Sequence, residues 1–152
     1  MLYSVSTANN YPNKSYGKFS SVNGSIVDYI EFRKSDPITL DIRIDFSDFE
    51  SVAAKWDCIS IDKVYIYLLN NKAIKFLDTY CEGTFELVPV KIFSNNNFVD
   101  TEHKLLHITN HIKGGNMFFD KNSLRSICVD EEVVKNYKKE KLKGWTFYKE
   151  DE

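Results

Sequence analysis

The sequence predicts an α+β protein, with a twisted, mostly antiparallel sheet and two or three short helices packed on it. Three observations predict this class. Aromatic residues make up 14% of the 152 residues, and aromatic side chains favour strands. Several short segments alternate apolar and polar residues, which is the period of a half-buried strand. Two segments combine a short apolar run with a capping residue and a helical pattern.

Length and charge limit the possible organisation and partners. No linker or low-complexity tract divides residues 1–152, so we expect a single domain. The net charge of −2 lacks the basic footprint of a nucleic-acid-binding protein. No run approaches the roughly 20 apolar residues of a membrane span. The N-terminus lacks the features of a signal peptide, and the three cysteines form no CxxC pair. We therefore expect a cytoplasmic protein that contacts neither nucleic acid nor membrane.

The first third of the chain contains the clearest strand. Residues 1–7 alternate weakly and predict a first strand, and residues 9–17 predict a surface loop. Residues 26–32 are rich in β-branched and aromatic side chains and predict a strand or short extended segment, before Asp36-Pro37 breaks the chain. Residues 38–46 then alternate without interruption, with apolar side chains at even positions and polar ones at odd positions.

A short helix and a strand–cap–helix unit come next. Residues 47–55 predict one or two helical turns, because Ser47 and Glu50 have the spacing of a capping box. The following unit is expected to contain a strand from Cys58, a cap at Ser60, and a helix over residues 61–70. A strand over residues 73–77 should close it.

The next segment is predicted to be rich in strands. Residues 85–93 form one strand, at an edge or with a bulge at Pro89, because proline cannot donate to a ladder. Residues 94–97 predict an exposed loop, residues 105–112 another strand, and residues 114–116 a turn.

The C-terminal segment repeats the strand–cap–helix pattern. A short apolar run ends at Asp130, which suits a helix N-cap. Val133, Val134 and Tyr137 then form one apolar stripe. Gly144 suits a helix stop, and Trp145 begins an alternating strand. The pattern is thus expected twice, at residues 58–80 and 128–148.

The three histidines are spaced four residues apart, at His103, His107 and His111. On a helix, two of them could share a transition metal, which would suit a small metal-dependent hydrolase. On a strand, neighbours four residues apart would be separated by about 13 Å, too far for one ion. Because the surrounding residues favour a strand, we interpret them as strand-surface histidines and keep the hydrolase as an alternative.

No other pattern indicates catalysis. Cys58 and Cys128 occupy corresponding positions in the two strand–cap–helix units, which is typical of packing rather than of a nucleophile. Gly114-Gly115 lacks the lysine and hydroxyl residue of a phosphate loop. We therefore expect neither an enzyme nor a bound cofactor.

Acidic residues are concentrated between residues 36 and 57. An acidic surface with an aromatic residue would attract a basic protein partner and set specificity. The alternative is a solvated strand face that keeps the protein soluble. The expected partner-binding residues are Asp41, Asp45, Asp48, Glu50, Trp56 and Asp57.

Several segments together resemble a known family. They are Cys128–Val133 with Leu142–Phe147, preceded by Ile59-Ser60, Phe85–Val90 and Leu105–Asn110. This arrangement resembles the small immunity proteins of bacterial polymorphic toxin systems. The resemblance implies a cytoplasmic protein that neutralises a basic cognate toxin domain in a tight complex. A metal-dependent hydrolase and a non-enzymatic scaffold domain are the alternatives.

Overall fold

The computed structural model describes residues 1–21, 42–62, 66–120 and 126–150, and these residues form an α+β fold. Within them, twelve strands form three four-stranded sheets that are mostly antiparallel, with three helices. The predicted fold class is therefore confirmed. The strands are β1 (Leu2–Thr7), β2 (Lys18–Ser21), β3 (Ile42–Phe46), β4 (Cys58–Ile61), β5 (Ile66–Leu69), β6 (Phe85–Val88), β7 (Lys91–Ser94), β8 (Asn97–Val99), β9 (Lys104–Ile108), β10 (Met117–Asp120), β11 (Ser126–Asp130) and β12 (Trp145–Lys149). The helices are α1 (Phe49–Lys55), α2 (Asn71–Tyr80) and α3 (Glu131–Lys139).

Some predicted features fall outside the described residues. They are the strand at residues 26–32, the break at Asp36-Pro37, and the first four residues of the strand predicted at 38–46. The rest of that strand is β3. Its burial alternates as predicted, with Ile42, Ile44 and Phe46 buried and the two residues between them half-exposed.

The first two sheets share one topology. The first has the order β10-β11-β1-β12 and the second β4-β5-β9-β6, with every neighbouring pair antiparallel. In each, a hairpin leads into a helix, α3 or α2, and then into a final strand that runs parallel to the strand before the helix. A strand from elsewhere in the chain lies between those two parallel strands. That inserted strand is β1 in the first sheet and β9 in the second.

The two helices of these sheets begin in the same way. The Asn70 side chain accepts a hydrogen bond from the Ala73 N–H at 2.9 Å, and the Asp130 carboxylate accepts one from the Val133 N–H at 3.0 Å. Both side chains satisfy a backbone donor that the first helical turn leaves without a partner. The predicted cap at Asp130 is confirmed. In the earlier unit the cap is Asn70 and not Ser60, because Ser60 is buried within β4.

The second sheet is buried on both faces. One face packs with α2, α3 and the first sheet in a core that includes Tyr67, Leu69 and Leu106. The opposite face packs with the third sheet and α1 in a second core that includes Ile66, Leu68 and Leu105. Strands covered on both sides have continuous apolar runs, which resemble a buried helix in sequence. The helix predicted over residues 61–70 is therefore wrong, and so is the strand predicted over residues 73–77, which lies in α2.

The third sheet has the order β2-β3-β7-β8, and its β3–β7 pair is parallel. The strand predicted over residues 85–93 is divided at Pro89-Val90. Its first half is β6 in the second sheet, and its second half is β7 in the third sheet. Proline, which cannot donate a ladder hydrogen bond, thus lies where the chain crosses from one sheet to the other.

Gly144 joins the C-terminal segment to the second sheet. Its φ of 128° lies in the region that favours glycine, and an added Cβ would come 2.1 Å from the carbonyl oxygen of Cys58. The neighbouring Lys143 carbonyl accepts hydrogen bonds from the N–H groups of Asp57 and Cys58, each at 3.0 Å. The prediction that Gly144 ends the helix is wrong, because α3 ends at Lys139 and Lys141 takes the left-handed conformation after it, with a φ of 58°. Gly144 lies instead at a close contact between two backbones.

None of the helices in the described part of the chain has the length and apolar character that crossing a membrane requires.

Candidate functional site

The predicted partner-binding residues that the structure describes have different surroundings. Asp41 lies outside the described residues. Trp56 is only 3% exposed and packs against Tyr11 in the second core, with ring centroids 4.8 Å apart. The prediction that Trp56 is a surface anchor is therefore wrong. Trp56 directly follows α1, and its indole covers apolar surface in the second core. The charged residues around it in the sequence do not indicate this burial.

Asp48 caps a helix. Its carboxylate accepts hydrogen bonds from the hydroxyl of Ser51 at 2.6 Å and from the Ser51 N–H at 3.3 Å. These bonds, the hydroxyl first, lower the pKa of Asp48 below its ordinary value, because they stabilise the charged form. The cap of α1 is thus Asp48, one residue after the predicted Ser47. Glu50 is an exposed side chain in the first turn of the same helix.

Asp57 connects two segments that are distant in sequence. One carboxylate oxygen accepts from the Asn70 side-chain amide at 2.8 Å, and the other accepts from the Lys143 N–H at 2.8 Å. Asp57 therefore links the cap of α2 to the segment before β12. Its carboxylate is part of the internal structure, which differs from the recognition role expected for it.

Asp45 is held beside a cation. Arg43 Nε and Nη2 donate to Asp45 Oδ1 at 2.9 and 2.8 Å, and Nε also donates to Oδ2 at 3.1 Å. The guanidinium carbon lies 3.7 Å from the centroid of the Phe93 ring. Asp45 does face outward, as its position in the strand predicted. Its charge, however, is balanced by the arginine beside it.

Arg43 and Asp45 belong to an outward surface of the third sheet, which we call the aromatic–arginine face. Lys18 is opposite Asp45 in β2, and Lys91 is opposite Arg43 in β7. Phe98, in the edge strand β8, packs edge-on against Phe93 with ring centroids 5.8 Å apart, and 61% of its surface is exposed. The face comprises Lys18, Arg43, Asp45, Lys91, Phe93 and Phe98.

A tight hairpin places Phe98 on this face. Asn95 and Asn96 have φ values of 49° and 66°, and asparagine is one of the residues that tolerate such angles in two-residue hairpin turns. The Asn95 N–H donates to the Phe46 carbonyl at 2.9 Å, and the Ser94 hydroxyl accepts from the Phe49 N–H at 2.9 Å. The hairpin is thus fixed to the end of β3 and the start of α1.

The sequence pattern predicts neither Phe98 nor Arg43 as a site residue, because residues 94–97 indicate an exposed loop. The signal that could have revealed the hairpin is a pair of asparagines flanked by segments with aromatic residues, Phe93 and Phe98.

The three histidines have separate surroundings. His107 lies in β9, as its neighbours predicted, but it is buried and not on the surface, and its Nδ1 lies 2.6 Å from Glu86 Oε1 across the strand pair. His103 Nδ1 lies 2.6 Å from the Thr101 hydroxyl, and burial lowers the pKa of His103. His111 lies beside Phe119, with ring centroids 5.6 Å apart. In the described ranges no three His, Cys, Asp or Glu side chains are grouped so that they could hold a metal ion.

The three cysteines are free and buried. Burial raises the pKa of Cys81 to about 12 and of Cys128 to about 11, and it raises the pKa of Cys58 further. The Cys58 sulfur accepts a hydrogen bond from the Tyr137 hydroxyl at 3.7 Å, and that hydroxyl oxygen accepts from the Trp145 N–H at 3.0 Å. The thiols are therefore protonated at neutral pH, which is the poorly nucleophilic form.

Neither a protein-family model nor a curated protein sequence matches the chain.

Proposed function

We propose that this protein is an immunity protein, which binds a cognate toxin domain in the bacterial cytoplasm and neutralises it in a tight one-to-one complex. It acts by binding and not as an enzyme, and it needs no cofactor. The proposal starts from the resemblance of the C-terminal segment and the middle of the chain to the immunity proteins of polymorphic toxin systems.

The observation that carries the proposal is the continuous unit formed by the residues of the strongest resemblance. β11 ends at Asp130, which caps α3, and Gly144 ends the segment that follows the helix. Trp145 and Phe147 then lie on the core side of β12. These residues contribute to one interlocking part of the fold, so the quoted motifs are connected in three dimensions as well as in sequence.

A second feature supports a binding role. The aromatic–arginine face presents a large exposed aromatic side chain beside an immobilised arginine on the outer surface of a sheet. Aromatic residues and arginine are the side chains enriched at the centres of protein–protein interfaces. The molecule thus displays suitable chemistry for docking a folded partner.

The test begins with the gene next to the one that encodes this protein. The toxic C-terminal domain encoded there should stop bacterial growth when expressed alone, and co-expression of this protein should restore growth. The purified pair should form a one-to-one complex by light scattering and titration calorimetry. An unrelated toxin domain is the control and should be neither bound nor neutralised. Growth arrest that persists despite folded, abundant protein would refute the proposal.

A further inference from the structure

We propose that the aromatic–arginine face is the surface that holds the toxin, and that the toxin presents a carboxylate to Arg43 beside an apolar seat for Phe98. This inference rests on the proposed function and identifies the contact surface and the chemistry of the partner. It replaces the acidic surface expected from the sequence.

Its aromatic surroundings distinguish Phe98 from the other exposed apolar side chains. Large apolar residues that are also exposed among those described are Met1, Ile112 and Tyr148. The Tyr148 hydroxyl donates to Asn9, and Met1 accepts from Tyr3. Phe98 instead packs on a second aromatic ring, Phe93, which itself contacts an arginine. Of the four, Phe98 has the surroundings of an interface anchor.

The arginine is held in place before any partner arrives. Its contacts with Asp45 and the Phe93 ring restrict the long side chain, so binding loses little of the side-chain entropy that ordering normally costs. Nε and Nη2 make those contacts. Among the described residues, Nη1 has no hydrogen-bond partner, and the side chain is 41% exposed. The planar fork therefore keeps donors for an additional carboxylate.

Charge complementarity identifies the chemistry of the partner. Within the described ranges, the face carries one carboxylate, Asp45, which is paired with Arg43, and a further cation, Lys18, opposite Asp45. Lys18 is exposed and forms no ion pair with a described residue. A partner surface with Asp or Glu residues would gain from both Arg43 and Lys18, whereas a basic surface would be repelled.

The shape of the neighbouring surface also suits a folded partner. An open hollow of about 360 Å³ adjoins the face, and its lining includes Lys18, Arg43, Asn95 and Asn96. The hollow shares Lys18, Arg43 and Asp45 with the face, so the same surface offers a recess as well as the exposed ring of Phe98. Hot-spot residues lie where the surfaces of the two partners are complementary in shape and exclude water.

The first arm of the test removes the anchor. Phe98→Ala should weaken binding of the purified toxin domain by roughly thirtyfold or more, mainly through faster dissociation, as expected for a hot-spot residue. Ile112→Ala is the matched control, because Ile112 is 74% exposed and lies outside the face, and it should bind like the wild type. Both variants should keep the wild-type circular dichroism spectrum and melting temperature.

The second arm tests the carboxylate on the partner. Arg43→Lys keeps the charge and the pairing with Asp45 but loses the planar fork, and should weaken binding by about tenfold. Lys18→Ala should slow association by about threefold at low salt and reduce its salt dependence, whereas Lys139→Ala on α3 should leave both unchanged.

The outcomes separate this inference from the proposed function. If the wild type neutralises the toxin and Phe98→Ala, Arg43→Lys and Lys18→Ala all bind normally, the face is wrong and the function stands. If the wild type does not bind the toxin, both proposals fall. A wild-type dimer in sedimentation equilibrium that Phe98→Ala dissociates would assign the face to a second copy of this chain and overturn the inference.

Discussion

Gly144 shows how one residue can determine a whole contact between segments. Its backbone lies so close to the Cys58 carbonyl that no side chain fits, and its φ of 128° is unfavourable for other residues. The sequence predicts a helix stop at Gly144, whereas α3 already ends at Lys139. It could not predict the close approach, because Cys58 is 86 residues earlier and only the tertiary fold brings the two together.

Replacing this glycine should be severe. Gly144→Ala should lower the free energy of unfolding by about 3 kcal/mol or more, because it combines backbone strain with a clash against backbone that cannot move easily. Urea denaturation measures the loss. Gly83→Ala is the matched control, because Gly83 has a φ of 82° with open space around it, and should lose only about 1 kcal/mol. Equal losses in the two variants would show that the contact with Cys58 is unimportant.

Asp57 has a structural role, although the sequence predicts a role in partner binding. Its carboxylate accepts from both Asn70 and Lys143, so Asp57→Ala should destabilise the fold by about 2 kcal/mol, the usual worth of hydrogen bonds to a charged group. Chemical denaturation tests this. Glu50→Ala removes an exposed carboxylate nearby in sequence and should change stability by less than about 0.5 kcal/mol. The structural assignment would fail if Asp57→Ala were as stable as Glu50→Ala.

At the scale of elements, the beginnings of helices were predictable where a cap follows an apolar strand. Asp130 meets this rule and is predicted from the sequence, whereas the sequence pattern places Asn70 at the end of a helix. The reason is physical. β4 and β5 are covered on both faces, so they lack the alternation that marks a half-buried strand. The pattern therefore predicts a helix over residues 61–70, just before the actual helix α2.

The cap of α3 offers a direct test of this element. The Asp130 carboxylate accepts from the Val133 N–H and from the Asn116 side chain at 2.6 Å. Asp130→Ala should cost about 1 to 2 kcal/mol of stability, because a helical N–H and an amide lose their acceptor. Asp130→Ser should recover part of that loss, since serine is also a good cap. The melting temperature should decrease in the order wild type, Asp130→Ser, Asp130→Ala. If serine restored none of the lost stability, the loss of the cap would not be its cause.

The hairpin of β7 and β8 shows the opposite case, in which an element was missed and the candidate site with it. Two asparagines form its turn with positive φ, and its strands are only four and three residues long. Strands this short give little periodicity. The acidic residues before it dominated the sequence-based site prediction, while the aromatic pair that the turn brings together was not considered.

At the scale of the whole molecule, the class was predictable and the division into sheets was not. Composition and alternation indicate strands but not which strands pair. The insertion of β1 between β11 and β12 depends on contacts across more than 120 residues. The shared order of the first two sheets likewise follows from pairing and is not apparent from the sequence.

The buried thiols and phenols make the whole fold sensitive to alkali. Burial raises the pKa values of all three cysteines and of Tyr11, Tyr67 and Tyr137 above their ordinary values. A group with a raised pKa contributes its full stability below the unfolded-state value, near 9 for cysteine and 10 for tyrosine. That contribution is lost as the pH rises toward the folded-state value.

The urea midpoint should therefore be lower at pH 10 than at pH 8. Cys81→Ala should show a smaller decrease between these two pH values than the wild type, because one of the titrating groups has been removed. Because the two midpoints are compared within each variant, the cost of the substitution itself cancels. A midpoint that is independent of pH across this interval would contradict the predicted titration.

The position of β1 has a consequence for synthesis on the ribosome. Residues 2–7 emerge early, yet one of their two partner strands, β12, consists of residues 145–149. Until that segment leaves the exit tunnel, the nascent chain carries a strand with an open edge and an uncovered valine, Val5. The first sheet can close only after residue 149 has left the exit tunnel, whereas all described strands of the other two sheets precede residue 109 and can pair earlier.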